Sequence, residues 1–376
     1  MKRFVLVILL LVCLLSSCSG KNVVIVGIAE DTSTNLKNIT QSLNNGRNLA
    51  LSEVNSNKDF PYSIKLKIID TMNSPEKTAN AFRDLCNSQH ASILMGVPSI
   101  KCSQVAKHIA NLYGKPFISL AFDEKIIDNV DNVLLFNQNP YNVGRLTALY
   151  FFYVLKKNKL AVLYDDSVSS FLSIAKGFED IRKVGASIAL EPFNSTNSSV
   201  DLSASLERLK VVNPEVIFIL SDSNLYEKAL KIAKDALKIN AIFALNDIPD
   251  SEFLSDPNLD NVYVILPFYE KKEKFANSSF YKTYTSKFGI EPDLYGALGY
   301  DEIVFLYEVL YNNKSISFDK NMISKLKGSK FKKDEFNTSF MGFDERGLAL
   351  KPIDILKISN GNIIYSGEFW MDNGNL

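Results

Sequence analysis

The feature that most constrains the fold is a repeated alternation of short apolar strands with amphipathic helices. The first strand is NVVIVGI at residues 22–28, a largely β-branched run typical of a parallel strand buried on both faces. Further strands are predicted at residues 64–69, 91–96 and 116–120, with helices between them. Repeated βα units of this kind predict a parallel sheet covered by helices through right-handed crossovers.

The same alternation begins again in the second half of the chain. Two such series predict an α/β protein with two Rossmann-like lobes, each with a parallel-sheet core and helices on both faces. The chain ends in a predicted hairpin at residues 353–369, with Asn360-Gly361 at its turn. The strands predicted in the second series are residues 160–164, 187–192, 216–220, 241–245 and 262–266.

Composition and motif content exclude several classes of function. Lys plus Arg equals Asp plus Glu at 42 each, so no net charge attracts nucleic acid. Only two histidines occur, His90 and His108, and neither has a neighbour at the spacing of a zinc site. No glycine-rich phosphate loop or G-x-S-x-G elbow is present. We therefore expect a protein that is not an enzyme and that has no metal, cofactor or nucleic-acid partner.

The N-terminal segment predicts export. Two cations in Met1-Lys2-Arg3 precede a charge-free stretch at residues 4–15, which is too short to span a bilayer as a mature helix. The segment Leu15-Ser16-Ser17-Cys18 resembles the lipobox of bacterial lipoproteins, which implies that Cys18 becomes a lipidated N-terminus. The alternative is an ordinary signal peptide that contains two cysteines. With the anchor, the protein would be held at the membrane outside the cytoplasm, in the cell envelope.

Two cysteines, Cys86 and Cys102, remain after the leader. An exported protein can form a disulfide, but these residues fall near the end of one predicted helix and near the start of the next. In a strand–helix alternation those points lie at opposite edges of the sheet, beyond the Cα separation of about 7 Å that a disulfide tolerates. We expect both thiols to be free.

Several segments, in the right order, resemble the type I periplasmic solute-binding proteins, and specifically the branched-chain amino-acid receptor family. The resemblance covers nearly all of the chain after Gly20. It rests on the strand NVVIVGI, GRNLALSEVN at residues 46–55, ILMGVPS at 93–99, GKPFIS at 114–119, GYDE at 299–302 and GFDERG at 342–347.

The resemblance implies three crossings between the lobes, so that both lobes are discontinuous. They would fall near residues 139–143, 266–269 and 338–342, and Pro140 and Pro267 suit the first two as connectors. Lobe 1 would comprise residues 22–140 and 268–339, and lobe 2 residues 141–267 and 340–371, after a leader at residues 1–18. Ligand would bind in the cleft at the carboxyl ends of the strands.

Loops that follow strands supply the candidate ligand-binding residues. Ser99 enters a helix, so its hydroxyl and the helix amides would grip an anion, although it can equally serve as an N-cap. Asp222 would pair with a ligand ammonium and Asp247 lies at a position often polar in the family; each can instead be a loop acid or a cap. The full set is Ser99, Ala121, Phe122, Asp123, Ser169, Asp222, Asn246 and Asp247.

Two departures from the family pattern bear on the ligand. Asp123 stands where a small hydroxyl residue would hold an α-carboxylate, and an acid there repels a carboxylate unless it turns away. Residues 165–170 contain no aromatic side chain, so the usual lid over an aliphatic ligand is absent from that loop. A leucine-type specificity is therefore not expected from the resemblance alone.

The leading functional prediction is a membrane-anchored extracytoplasmic lipoprotein that delivers a small, polar, amino-acid-like ligand to an ABC permease by hinge closure. The alternative is a lipoprotein of the same fold that binds a protein partner as an activator or sensor. The cleft discriminates between them, because a transport receptor needs polar groups converging from both lobes.

Overall fold

The computed structural model describes residues 21–195, 199–312 and 317–372; the leader and Cys18 lie outside these ranges. Its strands are β1 (Asn22–Glu30), β2 (Tyr62–Asp70), β3 (Ile93–Gly96), β4 (Phe117–Ser119), β5 (Val133–Leu135), β6 (Lys159–Asp165), β7 (Ser187–Phe193), β8 (Val216–Leu220), β9 (Ile242–Leu245), β10 (Tyr263–Leu266), β11 (Ile353–Ser359) and β12 (Asn362–Phe369). Its α-helices are α1 (Lys37–Ser56), α2 (Pro75–Asn87), α3 (Ile100–Leu112), α4 (Pro140–Leu149), α5 (Ser169–Gly177), α6 (Ser199–Val212), α7 (Tyr226–Leu230), α8 (Glu273–Ala276), α9 (Ser279–Phe288), α10 (Leu294–Asn312) and α11 (Lys320–Leu326).

The first sheet has five parallel strands in the order β2-β1-β3-β4-β5. The side chains of β3, β4 and β5 are buried throughout, as expected for strands covered by helices on both faces. Residues of α10 and α11, although distant in sequence, complete the core on one face of this sheet. The chain therefore returns to its first lobe after building most of the second.

The second sheet has seven strands in the order β12-β11-β10-β9-β8-β6-β7. Strands β6 to β10 pair in parallel, and the C-terminal hairpin β11–β12 adds two antiparallel strands at one edge. Separate apolar clusters cover the two faces. The predicted fold class, two α/β lobes with parallel-sheet cores, is confirmed.

Helix α2 begins where the sequence predicts it, because a capping residue and a proline mark its first turn. At α2 the Ser74 hydroxyl accepts a hydrogen bond from the Lys77 amide at 3.3 Å, and Pro75 occupies the first turn, as predicted. Pro140, predicted to be a connector, instead begins α4, and the Asn139 side chain caps that helix. Because nearly every residue of α4 is buried, it lacks the one-sided apolar pattern by which a helix is recognised.

Both remaining cysteines are free and buried, as predicted. Cys86 lies in the last turn of α2 and Cys102 in the first turn of α3. Within the three described ranges, no helix combines the length and apolarity needed to cross a bilayer.

The side-chain packing bears on where the chain crosses between lobes. Phe340, Phe343 and Ala349 pack in the core of the first sheet, whereas Ile353 and Ile355 pack in the core of the second. We therefore propose that residues 340–350 belong to lobe 1 and that the third crossing lies at residues 351–352, instead of near residues 338–342.

Candidate functional site

The predicted ligand-binding residues form two groups, one on each sheet. Ser99 and Ala121, Phe122 and Asp123 follow the neighbouring strands β3 and β4. Ser169, Asp222 and the pair Asn246 and Asp247 follow β6, β8 and β9, which are also neighbours. Because parallel strands end at the same edge of a sheet, each group shares one edge, where open α/β sheets place their sites.

On the first lobe, the N-terminus of α3 lies at this edge without a side-chain cap. Ser99 occupies the N-cap position and is half-buried, but its hydroxyl makes no capping hydrogen bond. The first turn of α3 contains no acidic residue that would neutralise its amide dipoles. A helix N-terminus whose amides are neither capped nor close to an acidic side chain attracts an anion such as a carboxylate.

A buried ion-pair network lies beneath that helix start. The fully buried guanidinium of Arg47 in α1 pairs with Glu30 at the end of β1, with both Nη–Oε distances at 2.9 Å. Its Nε also donates to Glu302 of α10 at 2.8 Å. Burial raises the pKa of Glu302 to about 7 although the Arg47 charge opposes this. The network thus joins a strand end at the candidate site to two helices of lobe 1.

The turn between β3 and α3 is shaped around this network. A side chain on Gly96, whose φ is +93°, would overlap the carboxylate of Glu30. The next residue, Val97, has φ +62°, an outlier for a β-branched residue, and its amide donates to Glu30 Oε1 at 3.2 Å. Strained backbone of this kind clusters at functional sites, which makes the turn part of the candidate site.

The carboxylate of Asp123 is engaged by its own turn. Its Oδ1 accepts a hydrogen bond from the Lys125 amide at 3.0 Å, and Asp123 caps a short 3₁₀ helix. The neighbouring Ala121 is buried and donates its amide to Ser119 Oγ at 3.2 Å. One oxygen of the Asp123 carboxylate is therefore held by its own turn.

The same loop contacts the second lobe. Phe122 packs against the core of the second sheet, although sequence reasoning placed it on the ligand. Next to it, the Ser173 hydroxyl of α5 donates to the carboxylate of Glu124. The two lobes therefore touch at the loop after β4, on the rim of the candidate site.

On the second lobe, two exposed acids flank a buried tyrosine. Burial raises the pKa of Tyr226, and the nearby carboxylates of Asp247 and Asp222 raise it further. Asn246 serves the fold, because its Oδ1 accepts hydrogen bonds from the Ser221 amide at 2.9 Å and the Tyr226 hydroxyl at 3.1 Å. Asp222 and Asp247 thus form an acidic rim on lobe 2.

In the loop after β6, the carboxylate of Asp165 is engaged by neighbouring residues. Asp165 is buried, and its Oδ1 accepts from the amide and hydroxyl of Ser167 at 3.0 and 2.7 Å. Burial acts to raise the pKa of Asp165, but hydrogen bonds from Ser195 and Ser167 outweigh it and lower the value. Ser169 is exposed at the start of α5. The carboxylate of Asp165 therefore stabilises its own turn.

Side-chain hydrogen bonds join segments near the proposed crossings. The Gln138 amide donates to the carbonyls of Lys351 at 3.3 Å and Pro352 at 2.9 Å, which joins the first segment to the third. Lys272 donates to Asp354 at 2.9 Å and Glu368 at 2.8 Å, which joins the second to the C-terminal hairpin. These contacts lie near the crossings proposed between the two lobes.

Comparison with known proteins identifies the family. The model of the periplasmic binding protein family matches residues 23–362. The chain belongs to this family. A search of curated proteins gave no match. The resemblance found in the sequence is therefore confirmed at the level of the family.

Solved structures of periplasmic binding proteins share the fold. The leucine-binding protein LivK of Thermotoga maritima is 18% identical, covers 94% of this chain and 100% of its own, and has a TM-score of 0.65. An ABC-type branched-chain amino acid transporter protein of Rhodopseudomonas palustris is 15% identical, covers 92% and 96%, and has a TM-score of 0.76. A solute-binding protein of the same species, in complex with 3,4-dihydroxybenzoic acid, is 17% identical, covers 94% and 99%, and has a TM-score of 0.65.

The candidate site of this periplasmic binding protein includes residues that the sequence did not indicate. Arg47 and Glu30 were not among its candidates, although an arginine within the apolar face of a predicted helix is a signal of a buried ion pair. Val97 carries no sequence signal, because nothing in its residue type indicates a positive φ. Glu124 and Ser173 were missed because their contact joins two lobes.

Proposed function

We propose that this periplasmic binding protein is the receptor of an ABC importer and that it closes on a small amino-acid-like solute. The observation that carries the proposal is the opposite polarity of the two cleft edges. Lobe 1 offers the uncapped start of α3 with Ser99, which suits a carboxylate. Lobe 2 offers the exposed acids Asp222 and Asp247, which suit an ammonium group.

Hinge closure follows because lobe 1 would bind the carboxylate of the solute and lobe 2 its ammonium group. A solute that contacts one lobe gains little, whereas a zwitterion held by both lobes binds the closed form more tightly. Differential affinity of this kind shifts the population toward closure. The Glu124–Ser173 contact at the rim supports closure as the state in which lobe 1 and lobe 2 meet.

A second ligand class has support from a structural relative. The Rhodopseudomonas palustris protein with 3,4-dihydroxybenzoic acid binds an aromatic acid that has no ammonium group. Such a ligand would use the α3 edge but would gain nothing from Asp222 and Asp247. We therefore favour the zwitterion, and variants of the lobe 2 acids separate the two classes.

The first test is a thermal-shift screen of residues 19–376 against amino acids, peptides, nucleosides and aromatic acids. A ligand at a hundred times its Kd should stabilise the fold by about 2.7 kcal/mol. For an amino-acid hit, Asp222→Asn should weaken binding roughly tenfold or more, because the ammonium group loses its oppositely charged partner. Ser99→Ala should weaken it about two- to tenfold. Glu207→Gln, an exposed change on α6, should leave affinity unchanged.

Three outcomes would count against parts of this proposal. Unchanged affinity in both site variants would retire Ser99 and Asp222 as ligand contacts. A hit that needs Ser99 but not Asp222 would favour aromatic or aliphatic acids over amino acids. Silence across the whole panel would favour the partner-binding alternative, a lipoprotein that acts as an activator or sensor.

We also propose that Cys18 carries the membrane anchor, on the lipobox resemblance alone. Acyl chains contribute about 0.8 kcal/mol per buried methylene, and stable anchoring needs more than one chain. Cys18→Ala should therefore move the exported protein from the membrane fraction to the released fraction, measured by fractionation and immunoblotting. Equal membrane retention of the variant would remove the anchor from the proposal.

A further inference from the structure

A second crevice between the lobes lies away from the strand-end loops. Its walls are the start of α4, the 3₁₀ turn at Phe178–Val184, residues 344–350 and the chain around Trp370. The cavity has a volume of about 480 Å³, within the range of small-molecule sites. None of the eight residues predicted to bind ligand lines it.

Two buried donors in this crevice have no hydrogen-bond partner among the described residues. Arg145 and Asn142 of α4 are only 5% and 8% exposed. Within the described part of the chain, Arg145 Nη1 and Asn142 Nδ2 make no hydrogen bond. Unsatisfied buried donors are rare in folded proteins and cost free energy, which makes a missing partner of matching chemistry the natural explanation.

The guanidinium of Arg145 is held in place by its other nitrogens. Nε and Nη2 donate to Asn142 Oδ1 at 3.1 and 3.0 Å, and Nη2 also donates to the Met371 carbonyl at 3.2 Å. Only Nη1 is left for a further acceptor. The guanidinium is therefore fixed in one orientation before a ligand binds. Among the described residues, its Nη1 has no acceptor.

Three acids line the crevice, namely Asp180, Asp344 and Asp372. Asp344 Oδ1 accepts from the amides of Arg346, Gly347 and Leu348 at 2.8–3.0 Å. Asp180 accepts a hydrogen bond from Tyr141, whose pKa is raised by burial and by that acid. Asp180 and Asp372 each have a lysine partner, because Lys183 Nζ lies 3.5 Å from Asp180 Oδ1 and Lys330 Nζ lies 3.9 Å from Asp372 Oδ2. Among the described residues, Arg145 Nη1 and Asn142 Nδ2 have no acceptor, so this end of the crevice suits an anion.

The remaining walls combine apolar side chains with the charged side chains of Lys183, Arg346 and Asp372. Leu348, Leu350 and the indole of Trp370 line the crevice, and Val184 closes it on the side of lobe 2. A ligand that fits both ends has a single carboxylate and an apolar or aromatic body. Because the walls come from both lobes, its binding is coupled to the hinge angle, and the coupling is reciprocal with the cleft ligand.

We propose that this crevice is a second ligand site, which binds a small organic acid with its carboxylate on Arg145 Nη1 and Asn142 Nδ2. The inference stands apart from the proposed transport function, because it uses none of the cleft residues. Trp370 is the single tryptophan of the chain, which makes its fluorescence a local reporter of occupancy.

The test is a titration of the full-length chain in detergent with benzoate, followed by Trp370 fluorescence. We expect a saturable change, and Arg145→Gln should raise the Kd at least roughly tenfold, as expected for a lost charge-assisted hydrogen bond. Val184→Phe, which fills part of the cavity from a half-buried position, should also raise the Kd and keeps the test valid if Arg145→Gln fails to fold. Thermal unfolding of each variant checks the fold.

Cleft variants separate this site from the transport site. Ser99→Ala and Asp222→Asn should leave the benzoate titration unchanged, whereas they weaken the solute found by the thermal-shift screen. A titration that is sensitive to Ser99→Ala and insensitive to Arg145→Gln would place benzoate in the cleft and overturn the inference. Absence of a saturable change with the wild-type chain would overturn it as well.

Discussion

Replacing Arg47 with methionine is expected to lower the free energy of unfolding by about 3–5 kcal/mol at neutral pH. The substitution keeps most of the side-chain volume, so the loss comes from two carboxylates left buried without their cation. Both Glu30 and Glu302 are fully buried in the network. Urea or thermal unfolding of the variant and the wild-type chain measures the difference.

The loss of unfolding free energy in Arg47→Met should increase as the pH rises. Burial already raises the pKa of Glu302 to about 7 with Arg47 in place, and loss of the cation raises it further. A group with a raised folded-state pKa contributes stability below its unfolded-state value and loses that contribution as the pH rises through the folded-state value. The R47M deficit should therefore be smaller near about pH 5 and grow toward about pH 8.

An exposed arginine provides the matched control. Arg208 pairs with Glu191 at 2.5 Å, but its side chain is 55% exposed. Because solvent screens such a pair, Arg208→Met should cost less than about 1 kcal/mol. Equal losses of unfolding free energy in Arg47→Met and Arg208→Met would show that the buried ion pairs of Arg47 stabilise the fold no more than an exposed pair does.

The elements that could be predicted from the sequence are those with strong local patterns. The apolar runs at β1, β6 and β8 contrast with their polar surroundings, so their strands were predicted within two residues of the observed bounds. In contrast, β5 is only three residues long, and α4 is buried on almost every side. Neither has a periodic pattern, because tertiary contacts, not local preferences, define these elements.

The candidate site was predictable only in part, for a related reason. The carboxyl ends of parallel strands share an edge, and this rule alone placed Ser99 with Ala121 and Asp222 with Asp247. The contacts that decide what each side chain does join distant positions, as in the Arg47–Glu302 pair, which are 255 residues apart. Loop acids such as Asp123 differ from free acids only through hydrogen bonds to nearby amides, which residue type does not reveal.

Glycines at the α1–α10 crossing explain two of the sequence motifs physically. A side chain on Gly46 would overlap the backbone of Gly296, and one on Gly299 would overlap the backbone of Leu43. The two helices therefore approach closely only because these positions lack a Cβ. The motifs GRNLALSEVN and GYDE each contribute one glycine to this contact, and the same short approach positions Arg47 next to Glu302.

Gly299→Ala is expected to destabilise the protein by about 1–3 kcal/mol or more, because the clash is with backbone that cannot move aside alone. Helix propensity predicts the opposite sign, since alanine is favoured over glycine inside a helix by up to about 1 kcal/mol. The sign of the change in unfolding free energy therefore decides between the two effects. Asn48→Ala, at an exposed position of α1, is the control in which propensity acts alone, and it should be neutral or slightly stabilising. A stabilised Gly299→Ala protein would contradict the close helix approach and, with it, the geometry that buries Arg47.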